Sequence, residues 1–238
     1  PRDIVTTLFG APFKELLYRT EIARADHCFL TGRMNVQDYI NFYHVLPSKI
    51  TLIPNGVNLS EIEEMRDKNA DVAGDSATIV FPGRLYLGKG AHYVVKAMRH
   101  VPERQGRIRL KILGSGPQEP ILRAIVRELD LGERVSFEGW VSRRTLFSEI
   151  SRCALVVLGS SYEVQCTAVL EAMACRKPVV AFRTPYMEEI VSHMKTGYLV
   201  PRNDVVKLGE AISFLLENES LRKDMGNQAF DYVRREHD

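Results

Sequence analysis

The sequence predicts an α/β protein: a doubly wound parallel sheet preceded by the tail of a second, incomplete α/β domain. Beyond Pro54, short apolar runs of strand length alternate with amphipathic stretches of helical spacing. The apolar runs are nearly continuous rather than broken by alternating polar residues, which is the pattern of strands covered on both faces. Strand, helix, strand, repeated along a chain, implies parallel βαβ units. With 238 residues, 45% of them hydrophobic, the chain carries enough apolar material for a sizeable core.

The predicted strands after Pro54 are Thr78–Phe81, Arg109–Leu113, Val135–Phe137, Ala154–Leu158, Pro178–Phe182 and Tyr198–Val200. Between the first two, Val94, Val95, Ala97, Met98 and Val101 recur at helical spacing within His92–Val101. Ile121, Leu122, Ile125, Val126 and Leu129 do the same within Pro120–Leu129. From about Asp204 onward the pattern is helical throughout. The passage before Pro54 reads as a helix over Phe13–Ala25, a strand at Cys28–Leu30, a helix over Val36–Val45 and a strand at Lys49–Ile53. Pro54-Asn-Gly56 is strong turn punctuation, so residues 1–54 and 55–238 are read as separate domains. About fifty residues make a poor independent core, hence the reading of 1–54 as a remnant. Met65–Ser76 is polar and charged and reads as a solvated stretch.

Composition excludes several classes. The formal net charge of +2 gives no bulk attraction to nucleic acid. No run approaches the ~18 consecutive apolar residues of a membrane span, and no signal-peptide pattern opens the chain. Cys28, Cys153, Cys166 and Cys175 lack CxxC spacing, which fits reduced thiols in a cytoplasmic protein better than a zinc ribbon or a disulfide framework. The six histidines show no metal-ligand spacing, and no metal or cofactor is expected. Asn58-Leu-Ser60 and Asn218-Glu-Ser220 match the glycosylation sequon, a pattern that recurs by chance.

Three segments carry chemistry. Gly83-Arg-Leu-Tyr-Leu-Gly-Lys-Gly90 follows a strand and precedes a helix, the setting of a phosphate-binding turn in which amides at the helix start donate and cations neutralise oxygens. It approaches GxxxxGK[ST], but Gly90 replaces the hydroxyl residue that would hold Mg²⁺, which disfavours a nucleotide hydrolase. A glycine-rich connection with two solvated cations is the alternative. Leu113-Gly-Ser-Gly-Pro117 also joins a strand to a helix and could bring backbone close to a ligand; its proline breaks the dinucleotide-binding pattern. In Ser160–Ala174, Glu163 lies before a helix that begins near Cys166 or Thr167, and Glu171 lies just over one turn inside it. The free amides of that first turn suit an anion. Glu163 could accept from sugar hydroxyls and Glu171 could grip a ribose diol. Taken alone, the spacing favours a buried Glu171 paired with a lysine or arginine and a helix-capping Glu163.

Taken together and in order, these segments resemble the family-4 retaining glycosyltransferases of the GT-B fold. The resemblance runs from about Ala23 to Arg235. Besides the segments above it includes Ala25-Asp26, Ile53-Pro-Asn-Gly-Val57, Glu138-Gly-Trp-Val141, Leu170-Glu-Ala-Met-Ala-Cys175, Pro178-Val-Val-Ala181, Glu188-Glu-Ile-Val191 and Gly197-Tyr-Leu-Val200. It implies that residues 55–238 form the Rossmann-like domain that binds a nucleotide-diphosphate sugar, and that residues 1–54 are the end of the acceptor-side domain. Arg84 and Lys89, in the loop begun by Gly83, would contact the donor diphosphate, and Glu171 would bind the ribose. The backbone at Trp140 and Val141 would meet the base, with Gly114 and Gly116 close to the donor. Glu163 would contact the donor sugar beside the amides of Gln165, Cys166 and Thr167. The implied chemistry is sugar transfer with retention and without metal: cations and a helix N-terminus stabilise the diphosphate that leaves, where loss of one such donor typically costs ~3 kcal/mol. The acceptor, a sugar or a lipid-linked one, is not implied.

The sequence also departs from the family. Members commonly read Glu-Gly-Phe-Gly where this chain has Glu163-Val-Gln-Cys166, and the glycine pair before the Glu-Ile-Val segment is replaced around Thr184-Pro-Tyr186. The family's upstream glycine-rich loop and histidine have no counterpart, and the chain stops at Arg235-Glu-His-Asp238 where members continue through a crossing helix. This chain is therefore expected to be incomplete and inactive alone, and a non-catalytic nucleotide-sugar sensor or partner subunit stands as the alternative. Arg143-Arg144 reads as a solvated pair; the alternative is peripheral contact with acidic lipid headgroups at the cytoplasmic membrane surface, where two charges supply only ~2 kcal/mol. Trp140 fits both stacking near a base and core packing.

Overall fold

The computed structural model describes residues 19–66, 77–103, 108–161 and 166–238. The chain divides into two compact units, Pro1–Asn55 and Gly56–Asp238.

In the first unit, residues 19–24 are helical. Strand β1 (Cys28–Leu30) pairs in parallel with β2 (Ile50–Leu52), and helix α1 (Met34–Asn41) connects them. The helix expected to reach Val45 stops at Asn41, and His44 adopts a positive φ of 56° that no helix accommodates.

The second unit opens with α2 (Leu59–Met65), a helix the sequence analysis did not anticipate, capped by the Asn58 side chain. Then follow β3 (Thr78–Pro82), α3 (Ala91–Ala97), β4 (Arg109–Leu113), α4 (Glu119–Glu128), β5 (Val135–Gly139) and α5 (Arg143–Arg152). They continue as β6 (Leu155–Leu158), α6 (Thr167–Ala174), β7 (Val179–Phe182), α7 (Pro185–Ile190), β8 (Gly197–Val200), α8 (Val205–Glu217) and α9 (Glu219–Glu236). All six expected strands form one parallel sheet in the order β5-β4-β3-β6-β7-β8. The winding reverses between β3 and β6, the place where open α/β sheets bind ligands beyond their carboxyl ends.

Strands β3, β6 and β7 are buried along their whole length, which explains their unbroken apolar sequences. Their side chains alternate between two cores. Ile79, Phe81, Leu155, Val157, Val180 and Phe182 pack with α3, α4 and α8 on one face. Val80, Val156, Leu158, Val179 and Ala181 pack with α2, α5, α6, α7 and α9 on the other. The edge strand β5 departs from the expectation of full coverage: it extends two residues past Phe137, and its polar Ser136 and Glu138 are exposed. The helix expected over His92–Val101 is α helix only to Ala97 and tightens into a 3₁₀ turn at Met98–His100. The four cysteines are buried and outside any disulfide, and burial pushes the thiols of Cys153 and Cys175 up to about 12, which keeps them protonated.

The loops at the carboxyl edge lock together through backbone. The Gly83 amide donates to Leu113 O at 2.9 Å, the Leu85 amide to Ser115 O at 3.0 Å, and the Gln118 amide to Leu85 O at 2.9 Å. Gly114 is so close that an added Cβ would lie 2.0 Å from the carbonyl oxygen of Gly83. Gly90, at φ +68°, comes equally near the end of β6; a Cβ there would lie 1.7 Å from the Gly159 oxygen. Gly90 thus stands where a hydroxyl residue would otherwise sit because two backbones meet there. Gly90→Ala should lower stability by at least about 2 kcal/mol, combining an unfavourable φ with an overlap against rigid backbone. Gly88→Ala, facing open space, should change it by less than about 0.5 kcal/mol. Equal thermal or denaturant midpoints for the two variants would contradict this account.

Candidate donor site

A cavity of about 580 Å³ opens at the carboxyl edge, over the switch between β3 and β6. Each wall follows from the local fold. The loop after β3 supplies Gly83, Arg84, Tyr86 and Lys89, and the loop after β4 supplies Gly114, Ser115 and Gly116. Trp140 and Val141 come from the turn after β5, Ser160 from the turn after β6, and Cys166, Thr167, Ala168 and Glu171 from the start of α6. Ten of the twelve residues singled out in the sequence therefore line one cavity; the other two, Glu163 and Gln165, lie outside the described residues.

The electrostatics of the cavity differ from the phosphate-turn expectation in one respect. In the loop after β3, the amides of Gly83, Leu85, Tyr86, Lys89 and Gly90 already donate to carbonyls of the protein. The first two lock the loop to the one after β4 and the other three turn it on itself, so this segment offers mainly its side chains rather than an amide cradle. Arg84 stands with its guanidinium carbon 5.4 Å from the centre of the Tyr86 ring, a contact that steadies the long side chain. Ser160 donates to Lys89 O at 3.4 Å, joining the loops after β3 and β6.

Amide donors come instead from α6. Its neighbours in the chain, α5 and α7, are capped by Ser142 and Thr184. At α6 the N-cap is Cys166, whose side chain makes no capping hydrogen bond. Its positive dipole end and first-turn amides are thus presented where Cys166, Thr167 and Ala168 form the wall.

Glu171, one turn further along, has a side chain only 15% exposed. Arg143 Nη1 lies 3.7 Å from its Oε1. Burial pushes the Glu171 carboxyl above its ordinary value; Arg143 pulls it back and Glu61 pushes it further up. Glu171 is thus a largely buried glutamate beside an arginine, and it also lines the cavity.

Two other readings are sharpened. Trp140 is 80% exposed at the cavity wall, so it is no part of the core. Arg143 has the exposed side chain expected of a solvated residue, and it also holds Glu61 through Nε and Nη2 at 3.2 and 3.3 Å and nears Glu171. Tyr86, Ser115 and Ser160 line the cavity beyond the residues expected there; their positions two residues from Arg84, between Gly114 and Gly116, and in the turn after β6 were the available signal. Among the described residues, no cluster of three or more His, Cys, Asp or Glu side chains is arranged to hold a metal ion, and no helix is long and apolar enough to cross a membrane.

Comparison with known proteins agrees with this architecture. The family model for glycosyl transferases group 1 matches residues 61–232. An α-D-kanosaminyltransferase of Streptomyces kanamyceticus is 30% identical over 155 residues, covering 65% of this chain and 40% of that protein. A D-inositol 3-phosphate glycosyltransferase of Kineococcus radiotolerans is 29% identical over 230 residues, covering 87% and 53%. The crystal structure of Anabaena HepE in complex with UDP and glucose superposes with a TM-score of 0.82 at 20% identity, over 99% of this chain and 66% of that one. The chain spans about half the length of the curated relatives it matches. With a family match over most of its length and the fold of GT-B glycosyltransferases, the chain belongs to the group 1 glycosyltransferases.

Proposed function

We propose that residues 56–238 bind a nucleotide-diphosphate sugar and form the donor half of an enzyme that transfers the sugar to an acceptor with retention and without metal or cofactor. One observation carries the reading: a single cavity gathers Arg84, Lys89, the start of α6 and the largely buried Glu171. Two cations and a helix N-terminus suit a diphosphate, and a carboxylate one turn away suits the ribose diol. Breaking the sugar–phosphate bond moves negative charge onto the leaving diphosphate, where donors fixed in advance stabilise the transition state more than the ground state. The family resemblance assigns the base to the backbone at Trp140 and Val141 and the donor sugar to Glu163 and the Gln165 amide, and the first unit to the acceptor side. The HepE structure with UDP and glucose supports UDP as the first nucleotide to try. A role as a binding-only partner subunit is distinguished by turnover, not by affinity.

Calorimetry with UDP should show affinity falling at least about tenfold in Arg84→Ala and in Lys89→Ala, the scale of a lost charge-assisted hydrogen bond. Unchanged affinity in both would contradict the diphosphate assignment.

Glu171→Gln separates function from stability. A carboxyl whose pKa is raised by folding subtracts stability as pH climbs through the ordinary carboxylate range towards its folded pKa, and the loss persists above it. At pH 7 the neutral glutamine removes that cost. The variant should unfold no earlier than the native chain, gain nothing at pH 4, and bind UDP at least about tenfold more weakly. A lower melting temperature with intact affinity would make Glu171 a structural residue.

Release of UDP from UDP-sugars by the native full-length polypeptide should fall about a hundredfold in Arg84→Ala. Tight donor binding with no release or transfer would favour the partner-subunit reading.

A further inference from the structure

Arg143 does not line the cavity, yet it connects the buried acid of the cavity to a helix that takes no part in it. Its guanidinium holds both carboxylate oxygens of Glu61, Nε to Oε1 at 3.2 Å and Nη2 to Oε2 at 3.3 Å. The remaining nitrogen, Nη1, stands 3.7 Å from Glu171 Oε1. The guanidinium carbon also lies 5.1 Å from the centre of the fully buried Phe147 ring. Each member is fixed by its own helix start. Glu61 sits in the first turn of α2, where its amide is accepted by the capping Asn58 side chain. Arg143 is the first residue of α5, capped by Ser142. Ile62 and Phe147, next to them in the fold, pack in the same core as the α6 residues Val169 and Leu170.

We propose that the Glu61–Arg143 pair positions the Glu171 carboxylate, and that this sets the preference of the site for ribose over 2′-deoxyribose. The inference rests on the reading of Glu171 as the ribose-binding carboxylate. To accept from two neighbouring hydroxyls, a carboxylate must present both oxygens in one plane. A direct charge-assisted hydrogen bond, at about 2.7–2.9 Å, would occupy one of them. At 3.7 Å, Arg143 attracts Oε1 electrostatically and leaves its lone pairs open. Its other two nitrogens are committed to Glu61, which keeps it from closing that gap.

Two substitutions break the device in different ways. Without Arg143, a buried carboxylate loses its compensating charge, faces Glu61 and loses its preferred orientation. Without the Glu61 charge, the guanidinium is released to pair directly with Glu171 and compete with the hydroxyls. Neither change touches a residue of the cavity wall facing the diphosphate or the base. A ligand with one hydroxyl fewer is therefore affected less.

The test is calorimetry of the 238-residue chain with UDP and 2′-deoxy-UDP, with the GDP and ADP pairs alongside. The readout is the ratio of the two affinities, which a general loss of folded protein does not change. The native chain should prefer the ribonucleotide about tenfold, and Glu171→Gln should bring the ratio close to one. Arg143→Gln and Glu61→Gln should each lower the ratio at least about threefold while deoxynucleotide affinity stays within about twofold. If both keep the native ratio while Glu171→Gln abolishes it, the positioning role is wrong and the ribose assignment stands. If Glu171→Gln also keeps the ratio, or if no nucleotide pair binds, the ribose assignment itself fails and the positioning role with it.

Discussion

Contact between bare backbones at the carboxyl edge of the sheet is the constraint on which the candidate site depends. The loops after β3 and β4 are joined by three main-chain hydrogen bonds, and the loop after β3 meets the end of β6 where Gly90 faces Gly159. A side chain at Gly90 or Gly114 would push these loops apart. Their closeness puts Arg84 and Lys89 on the same cavity as the start of α6, although about eighty residues separate them in sequence. The cost is that most amides of the β3 loop are consumed in holding it, so cationic side chains and a different helix supply the positive potential. This division of labour also explains why the loop resembles a nucleotide-hydrolase turn without having its hydroxyl residue.

The cavity combines groups that fold stability alone would not choose. A buried carboxyl is costly unless paired, and Glu171 has a cation near it at 3.7 Å rather than in direct contact. The N-cap side chain of α6, Cys166, makes no capping hydrogen bond, whereas Ser142 and Thr184 cap α5 and α7. Trp140, the single tryptophan, is exposed. Each breaks a local rule, and all three occur around one cavity at the switch point of the sheet. Such concentration is the physical signature of a binding site.

The sheet was legible because its strands are buried on both faces, which leaves uninterrupted apolar runs such as Leu155–Leu158. The start of α6 was legible because the apolar periodicity resumes at Thr167. The position of Arg143 was not: its partner Glu61 is 82 residues away, and no local pattern encodes that contact. Helix α2 was hidden because seven residues with a single fully buried side chain, Ile62, give little periodic signal. The exposure of Trp140 was equally hidden, since a large aromatic after a strand suits a core or a rim. Residue type and spacing thus indicated which groups form the site, while the long-range pairing that orients them required the fold.

The most direct measurement of the central claim is a crystal structure of the chain with UDP bound. The account predicts the diphosphate between Arg84, Lys89 and the first-turn amides of α6, with the ribose hydroxyls on Glu171 and the base beside Trp140 and Val141. A nucleotide bound elsewhere, or in this cavity with its diphosphate turned away from both cations, would contradict it.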